Sequence, residues 1–588
     1  MTGERWEDGG IAWTAGPWRL ELRDDEVADL AYDGRSVLRS IRAVVRDGDW
    51  STAGWTLGEP IDEPAAPDGS GGSARRLRLP LRSTGFGSDL VGGLTIETDG
   101  DALTVAFEAV SQIDYETNRT GLVVLHPAGA AGADLRVRHA DGSVERTAFP
   151  REISPHQPVR DIAALTWEHD GLEITTAFAG DVFEMEDQRN WTDASYKTYS
   201  RPLALPFPYR LVEGERVRQT VRVDVRPHSA AGVATRAEVA AIALEAGGVF
   251  PTIGVAASEA PDPAPELTAP PGGELLVELD LRTRAWPAAL QRAAARGVPL
   301  DARVVSPDDV DGFDELASRL RGCRLARIAV FSASLHVSDA PLVARLRDAL
   351  ARTGVSAPVI GGSRSHFTEL NRERHRLPDG LDGIVTATTP LFHALGTAQL
   401  IESVAMQRLI AQQTVDYAAG LPVRVGPIAL RPRFNNVATR PQPTPGRHDL
   451  AEGTGTEFTG AVDARQAAPE LAAWTIASAA ALSVPGVAGL AYFEEWGPRG
   501  IRTSDGAPTP AAEAIAALAA LAGGELLAGP SPDGLLWAVG ARTTSADVRI
   551  VTANLDDRER TLRVTVPGIA IPVELRLPAF AWRLVDPT

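Results

Sequence analysis

The sequence predicts a multidomain protein: an N-terminal antiparallel β-sandwich, a central (β/α)8 barrel and a small C-terminal β-sandwich. Three observations carry that reading. Up to about residue 235 the chain is a succession of short strand-like runs with almost no helical period. From near Ala234, helical segments alternate with short apolar runs. From about Leu527 the strand pattern returns. The divisions fall at 1–235, 236–525 and 526–588, and a chain of 588 residues is too long for one core.

In the first domain, strands are predicted at Trp18–Leu22, Val27–Tyr32, Ser36–Val45, Arg76–Leu81, Leu94–Thr98 and Ala102–Ala109. Asp-Gly and Gly-rich turns separate them. PAAPDGSGGSA (Pro64–Ala74) reads as a loop. Further strands are expected at Gly121–Leu125, Leu135–His139, Ala163–Glu168, Leu172–Ala179 and Arg216–Val225. Many short strands without helices imply layered antiparallel sheets.

The middle region holds eight candidate strands: Pro251–Ala256, Glu274–Leu281, Ala302–Ser306, Arg327–Ala333, Pro358–Gly362, Gly383–Thr388, Pro422–Leu430 and Val487–Phe493. Helices are expected between most of them, at Ala288–Arg296, Phe313–Arg321, Pro341–Arg352, Thr397–Ala419 and Pro469–Leu482, with Ala511–Ala522 last. This alternation fits a TIM barrel. Two crossovers are poor: APDPAPELTAPPGG is too Pro-rich for a good helix, and FTELNRERHRLPDG has room for a short one. Beyond the barrel, strands are predicted at Leu535–Gly540, Asp547–Asn554, Thr561–Val566, Val573–Leu577 and Ala581–Leu584.

Composition narrows the function. Hydrophobic content of 44% and charged content of 23% are those of a soluble globular protein. A net charge of −19 argues against a nucleic-acid partner, since phosphate binding needs a basic surface. No run of eighteen apolar residues suggests a membrane span, and MTGERWEDGG lacks the pattern of a secretory signal, so a cytoplasmic location is expected. Cys323 has no partner for a disulfide and reads as a small core or near-core residue. Neither a metal nor a cofactor is expected: HExxH, phosphate-loop and G-x-S-x-G patterns are absent, and the H-x-x-E spacing of His366 and Glu369 has no further histidine or carboxylate cluster beside it.

A barrel's chemistry sits at the C-terminal ends of its strands. The fifth strand leads to Arg364, His366, Glu369 and Asn371, the sixth to His393, and the seventh to Arg431, Arg433, Asn435 and Asn436. The loop after the seventh runs to about Gly460 and is long enough to be a lid. The eighth ends in Glu494, Glu495 and Trp496. Glu369 and Glu494 belong to strands three apart around the ring, so their carboxyl groups would face each other across the mouth. Such a pair can act as acid and base, or as acid and nucleophile. A separation of roughly 6.5–9.5 Å would suit an inverting glycosidase and about 5–5.5 Å a retaining one. The plain alternative is a pair of solvated or arginine-paired strand-end residues.

One stretch stands apart. FEMEDQRNWTDASYKTYSRPL contains Lys197, the only lysine in the chain, within fourteen residues of Glu184, Glu186, Asp187, Arg189, Asn190, Trp191 and Asp193. It lacks a clean period of two or 3.6 and reads as an ordered loop or irregular strand. Trp191 beside Asn, Asp and Arg suits a sugar platform. Lys197 suits a carboxylate, a developing oxyanion, or one of the local acids. The alternative is an ion-paired hairpin at the interface between sandwich and barrel.

At these residues the chain resembles the D-apionate lactonase family. The resemblance rests on IRAVVRDGDW (Ile41–Trp50), NRTGLVVLHP (Asn118–Pro127), EMEDQRNWTDASYKTY (Glu184–Tyr199), FTELNR (Phe367–Arg372) and YFE (Tyr492–Glu494). It implies a β-domain, a TIM barrel and a C-terminal β-domain, and hydrolysis of a sugar-acid lactone. It further implies a small carbohydrate or sugar-lactone substrate, with Glu369 as general base, Glu494 as its partner, and Lys197 or Arg189 holding the oxyanion or product carboxylate. The substrate pocket is then expected to draw on Glu186, Asp187, Arg189, Asn190, Trp191, Asp193, Lys197, Arg364, His366, Asn371, Arg433 and Trp496. Two stretches depart from the family pattern: Ser363-Arg364-Ser365-His366 before FTELNR, and Glu495-Trp496-Gly497-Pro498 after the eighth strand. The same plan with facing glutamates also suits a glycoside hydrolase of the pentofuranosidase kind. A non-catalytic carbohydrate-binding protein would be favoured if both glutamates were locked in salt bridges.

Overall fold

The computed structural model describes residues 6, 9–64, 75–228, 239–307, 312–438, 444, 446–454, 461–543 and 546–587. Most of the loop predicted at Pro64–Ala74, and part of the long loop predicted to run to Gly460, lie outside them.

Among the described residues the N-terminal region is built on one continuous antiparallel system of 18 strands, with Tyr115–Thr117 and Tyr209–Leu211 forming a separate pair. It has two arms that meet at the strand Val159–His169. One arm passes from Val159–His169 through Leu172–Ala179, Arg216–Pro227 and Ala102–Ser111 to Leu90–Asp99. The other passes through Phe183–Asp187, Ser195–Ser200 and Arg119–Pro127 to Arg35–Arg46. Both arms feed one core: Trp18, Ile41 and Val124 from one side pack with Phe107, Trp167 and Val223 from the other. The strand Arg216–Pro227 alternates between buried and exposed positions over most of its length, as a sheet with one wet face requires.

The middle region closes into a parallel barrel of eight strands. They are Thr252–Ala256, Leu275–Asp280, Leu300–Ser306, Leu325–Ser332, Val359–Gly362, Ile384–Thr388, Val423–Ile428 and Val487–Glu494. Every residue of Leu300–Ser306 is buried, the mark of a strand covered on both faces. Helices fall where the pattern places them, and the fifth crossover holds only the short helix Phe367–Glu373. The first crossover has no α-helix, in keeping with its prolines. Gly362 ends the fifth strand at φ 144°, and a Cβ there would lie 2.0 Å from the Val385 carbonyl oxygen. Glycine is therefore required for the fifth and sixth strands to approach, and the chain beyond it enters the barrel mouth.

Past the barrel lie two small sheets. Leu536–Arg542 alternates between two partners: Leu536 and Ala538 face a small core with Leu527, Ile550 and Leu562, while Trp537 and Val539 pack into the barrel core. The helix Leu471–Leu482 is buried along its whole length between barrel and sheet, which accounts for its apolar circumference. One departure from the sequence reading concerns residues 239–249. Val239–Ala243 pairs with Arg560–Thr565, and Glu245–Val249 pairs with Glu525–Ala528, so both strands join the C-terminal sheets. The run is rich in Ala and Gly, which carry little strand propensity, and tertiary pairing decides it. Cys323 is half-buried against the barrel core. Among the described residues no helix is long and apolar enough to cross a membrane.

Candidate functional site at the barrel mouth

A cavity of about 1650 Å³ opens between the β-domain and the C-terminal ends of the barrel strands. Arg39, Arg42, Arg46 and Trp50 line it from the β-domain; Glu278, Arg364, Phe392, His393 and Arg433 line it from the barrel. Arg42 and Arg46 project from one face of the strand Arg35–Arg46, which carries them to the mouth.

The floor of this region is a chain of alternating charges. Glu494 pairs with Arg499, which pairs with Glu259 at 2.7 Å. Arg433 then bridges Glu259 at 3.5 Å and Glu278 at 3.0 Å, and Glu278 meets Arg364 at 2.6 Å. Burial alone would raise the Glu278 carboxyl, but the two guanidiniums outweigh it and hold the group ionised. Glu494 also accepts from the Glu259 backbone N–H at 3.1 Å. Its carboxyl is nevertheless pushed up, by burial first and by the neighbouring Glu259 charge, against the pull of Arg499. Glu494 is thus one link in a network, and it is not on the cavity wall.

Glu369 is different. It is buried in the first turn of Phe367–Glu373, and among the described residues no cation lies within ion-pair distance. Asn436 donates to its Oε1 at 2.6 Å, and among the described residues Oε2 has no hydrogen-bond partner. Burial pushes its carboxyl up to about 7. His366 lies beside it, within 3.4 Å of the same Asn436 amide, and hydrogen-bonds Thr389. Burial holds the His366 imidazole down to about 3, so it is neutral at ordinary pH. Glu369 does not line the large cavity.

The lysine-bearing segment is a hairpin of Phe183–Asp187 and Ser195–Ser200, joined by a tight turn at Gln188–Trp191. It docks against the barrel and reaches the mouth. Lys197 pairs with Glu186 at 2.5 Å, and Arg372 stands 3.6 Å from the same carboxylate. Burial lowers the Lys197 pKa against the attraction of Glu186, and Arg119 and Arg46 push it further down. Arg46 donates to the Trp50 carbonyl at 3.0 Å and has no carboxylate within ion-pair distance among the described residues. Burial and the charges of Arg42 and Arg119 bring it down to about 10. Asp193 meets His393 Nδ1 at 2.8 Å. Thr192, at the end of the turn, shares a 3.0 Å hydrogen bond with Thr388 at the end of the sixth strand.

The remaining expected residues are placed as follows. Arg189 is buried, pairs with Asp187 at 2.7 Å and donates to the carbonyls of Pro150, Arg151 and Glu152, so it faces away from the cavity. Asn190 and Asn371 bond each other at 2.9 Å across the seam between hairpin and barrel. Trp191 is buried, with Phe392 stacked on its face at 4.6 Å and 3°, and its Nε1 donates to Glu186. It backs the wall, and Phe392, Trp50 and Phe434 are among the aromatic rings that line the cavity. Trp496 is buried with Arg292 over its ring, away from the mouth. Sequence reading did not single out Arg42, Arg46, Glu259 or Glu278. A census of the first and second strand ends would have found the two glutamates, and the spacing of Arg42 and Arg46 on one strand face was a visible signal. No group of three or more His, Cys, Asp or Glu among the described residues is placed to hold a metal ion.

The SrfJ protein of Salmonella typhimurium aligns with 61% of this chain and 95% of its own, at 11% identity and a TM-score of 0.36. A GH30 endoxylanase from Clostridium papyrosolvens C71 covers 58% of this chain and 98% of its own, at 12% identity and a TM-score of 0.36. A curated D-apionate lactonase of Brucella anthropi is 28% identical over 541 residues, 84% of each chain. Residues 2–228 match the N-terminal domain of D-apionate lactonase and residues 249–523 match its TIM barrel domain. Together these spans take in most of the sequence, and the chain belongs to the D-apionate lactonase family.

Proposed function

We propose that this hydrolase opens the lactone of a small sugar acid, as its D-apionate lactonase relative is named for doing, in the cavity between the β-domain and the barrel. The observation that carries the reading is the charge of that cavity. Arg46 lines it without a carboxylate partner among the described residues, beside Lys197, which shares Glu186 with Arg372. Lactone hydrolysis converts a neutral ester into a carboxylate, and cations that lack full counter-charge suit both the developing oxyanion and that product. Glu369, with a carboxyl poised near neutrality and one oxygen without a hydrogen-bond partner among the described residues, is proposed as a proton carrier for the reaction. Glu494 is proposed to support the network beneath it. The reading is built on three units: the β-sandwich, the barrel, and a small C-terminal β-sandwich that takes in Val239–Ala243 and Glu245–Val249.

One feature favours a second reading. Small-ligand pockets run to about 300–1,000 Å³, and this cavity is about 1650 Å³, roomy enough for a pentose glycoside. A non-catalytic sugar binder is not favoured, because Glu369 is outside any ion pair among the described residues. The test is a two-arm assay on wild type, Glu369→Gln and Glu494→Gln. One arm offers the lactone of D-apionate and related aldonolactones, the other aryl pentofuranosides. We expect lactone turnover in wild type and a reduced turnover in Glu369→Gln, because Glu369 stands behind the cavity wall and carries protons to and from it without touching the substrate. Turnover of the glycosides alone would replace the lactonase reading with the glycosidase one.

A further inference from the structure

Asp193 and His393 are 200 residues apart in sequence and belong to different domains, yet they form a hydrogen-bonded pair at the cavity wall. Asp193 is buried in the turn that joins the two strands of the docked hairpin. His393 follows the sixth barrel strand and lines the cavity. Its Nδ1 meets Asp193 Oδ2 at 2.8 Å. A carboxylate only accepts, so the ring proton is on Nδ1 and the Nε2 lone pair is left bare. The ring is held in place by Phe392, at 4.7 Å between centroids, and by the edge-on Trp191 at 5.6 Å.

We propose that His393 is the base that activates the hydrolytic water, with Asp193 as its positioning residue. This rests on the lactonase reading above. As the water oxygen bonds to the lactone carbonyl carbon, one water proton passes to His393 Nε2 and the carbonyl oxygen takes the negative charge. Collapse restores the C=O bond and breaks the ring C–O bond. The ring oxygen leaves with the proton from the imidazolium, and the open-chain hydroxy acid then ionises to its carboxylate. The base is regenerated and no oxidant or co-reactant is needed. Arg46 and Lys197 are near enough to bias His393 electrostatically, and both favour its neutral form. Burial favours that form too, while Asp193 opposes it. The other titratable groups facing this locus are Glu186, across the hairpin, and His366, after the fifth strand.

The experiment measures kcat/KM against pH on sugar-acid lactones for wild type, His393→Gln and Asp193→Asn, with folding checked by circular dichroism and thermal melting. His393→Gln should lose at least about 100-fold on the plateau. Asp193→Asn removes the charge that raises the His393 pKa, so its acid limb should move to lower pH while the plateau falls. A merely structural role for Asp193 would lower the plateau and leave the limb in place, and that result would overturn the positioning role. Wild-type turnover with His393→Gln within threefold of it would overturn the dyad and spare the lactonase reading. Absence of lactone turnover in the wild type would overturn both.

Discussion

Lys197 is buried against the largely enclosed Glu186, and the cost of separating them follows from that. Lys197→Met leaves Glu186 with Arg372 at 3.6 Å and the Trp191 indole N–H at 3.2 Å. Breaking a buried pair from one side costs about 3–5 kcal/mol, and the remaining arginine places this case near 3. The double variant Lys197→Met/Glu186→Gln removes both members of the pair and should recover most of the loss. Urea denaturation of the four proteins in the cycle checks it; a single-variant loss below about 1 kcal/mol would show that the pair is hydrated. Glu369 has the opposite linkage. Its folded pKa, about 7, lies above the ordinary 4.5, so its favourable contribution is present below pH 4.5 and is lost as pH rises through 7. Relative to wild type, Glu369→Gln should gain up to about 3 kcal/mol between pH 4.5 and pH 8. Equal melting shifts at both pH values would show an ordinary carboxylate. Lys197 was legible because a count singles it out and Glu186 is its cross-strand neighbour on the same hairpin. The pairing of Asp193 with His393 was not, since nothing local connects residues 200 apart.

At the scale of elements, the site depends on how the hairpin seats on the barrel. Asn371 donates to the Ile153 carbonyl at 3.0 Å and to Asn190 at 2.9 Å, and accepts from Tyr417 at 2.8 Å. Asn371→Ala removes three hydrogen bonds and strands the buried Asn190 Oδ1, while Gln413 still reaches the Tyr417 hydroxyl, and an unsatisfied buried group costs about 1–3 kcal/mol. A loss of about 2–4 kcal/mol is expected, because Gln413 also reaches the Ile153 carbonyl. Asn190→Ala combined with Asn371→Ala should cost less than the sum, with a coupling of about 0.5–3 kcal/mol. Additive losses in a denaturant cycle would mean that the two amides do not act together. The barrel strands were readable from sequence because parallel strands buried on both faces leave short apolar runs, such as IAVF within Leu325–Ser332. The seam was not readable. Asn190, Asn371 and Tyr417 are polar residues on separate elements, and only the folded chain brings them together. The strands at residues 239–249 escaped for a related reason, since their partners lie about three hundred residues further on.

The molecule as a whole places its chemistry between two domains, and that arrangement makes a prediction of its own. Arg46, Lys197 and Asp193 come from the β-domain; His393, Phe392 and Glu369 come from the barrel. If the lactone is opened between them, the hydroxy-acid product must touch both sides. A ligand at 100 times its Kd stabilises the folded state by about 2.7 kcal/mol, and protection from hydrogen exchange reports where that stabilisation is felt. Product added at that level should slow exchange in two segments together, the turn at 188–195 and the loop at 391–395. Both lie at the cavity wall or directly behind it. Protection confined to 391–395 would make the β-domain a scaffold that holds Arg46 and Lys197 in place without contacting ligand. Protection of both, lost in Asp193→Asn and retained in Glu494→Gln, would locate the reacting carbonyl at the seam and leave the Glu494–Arg499–Glu259 chain as its foundation.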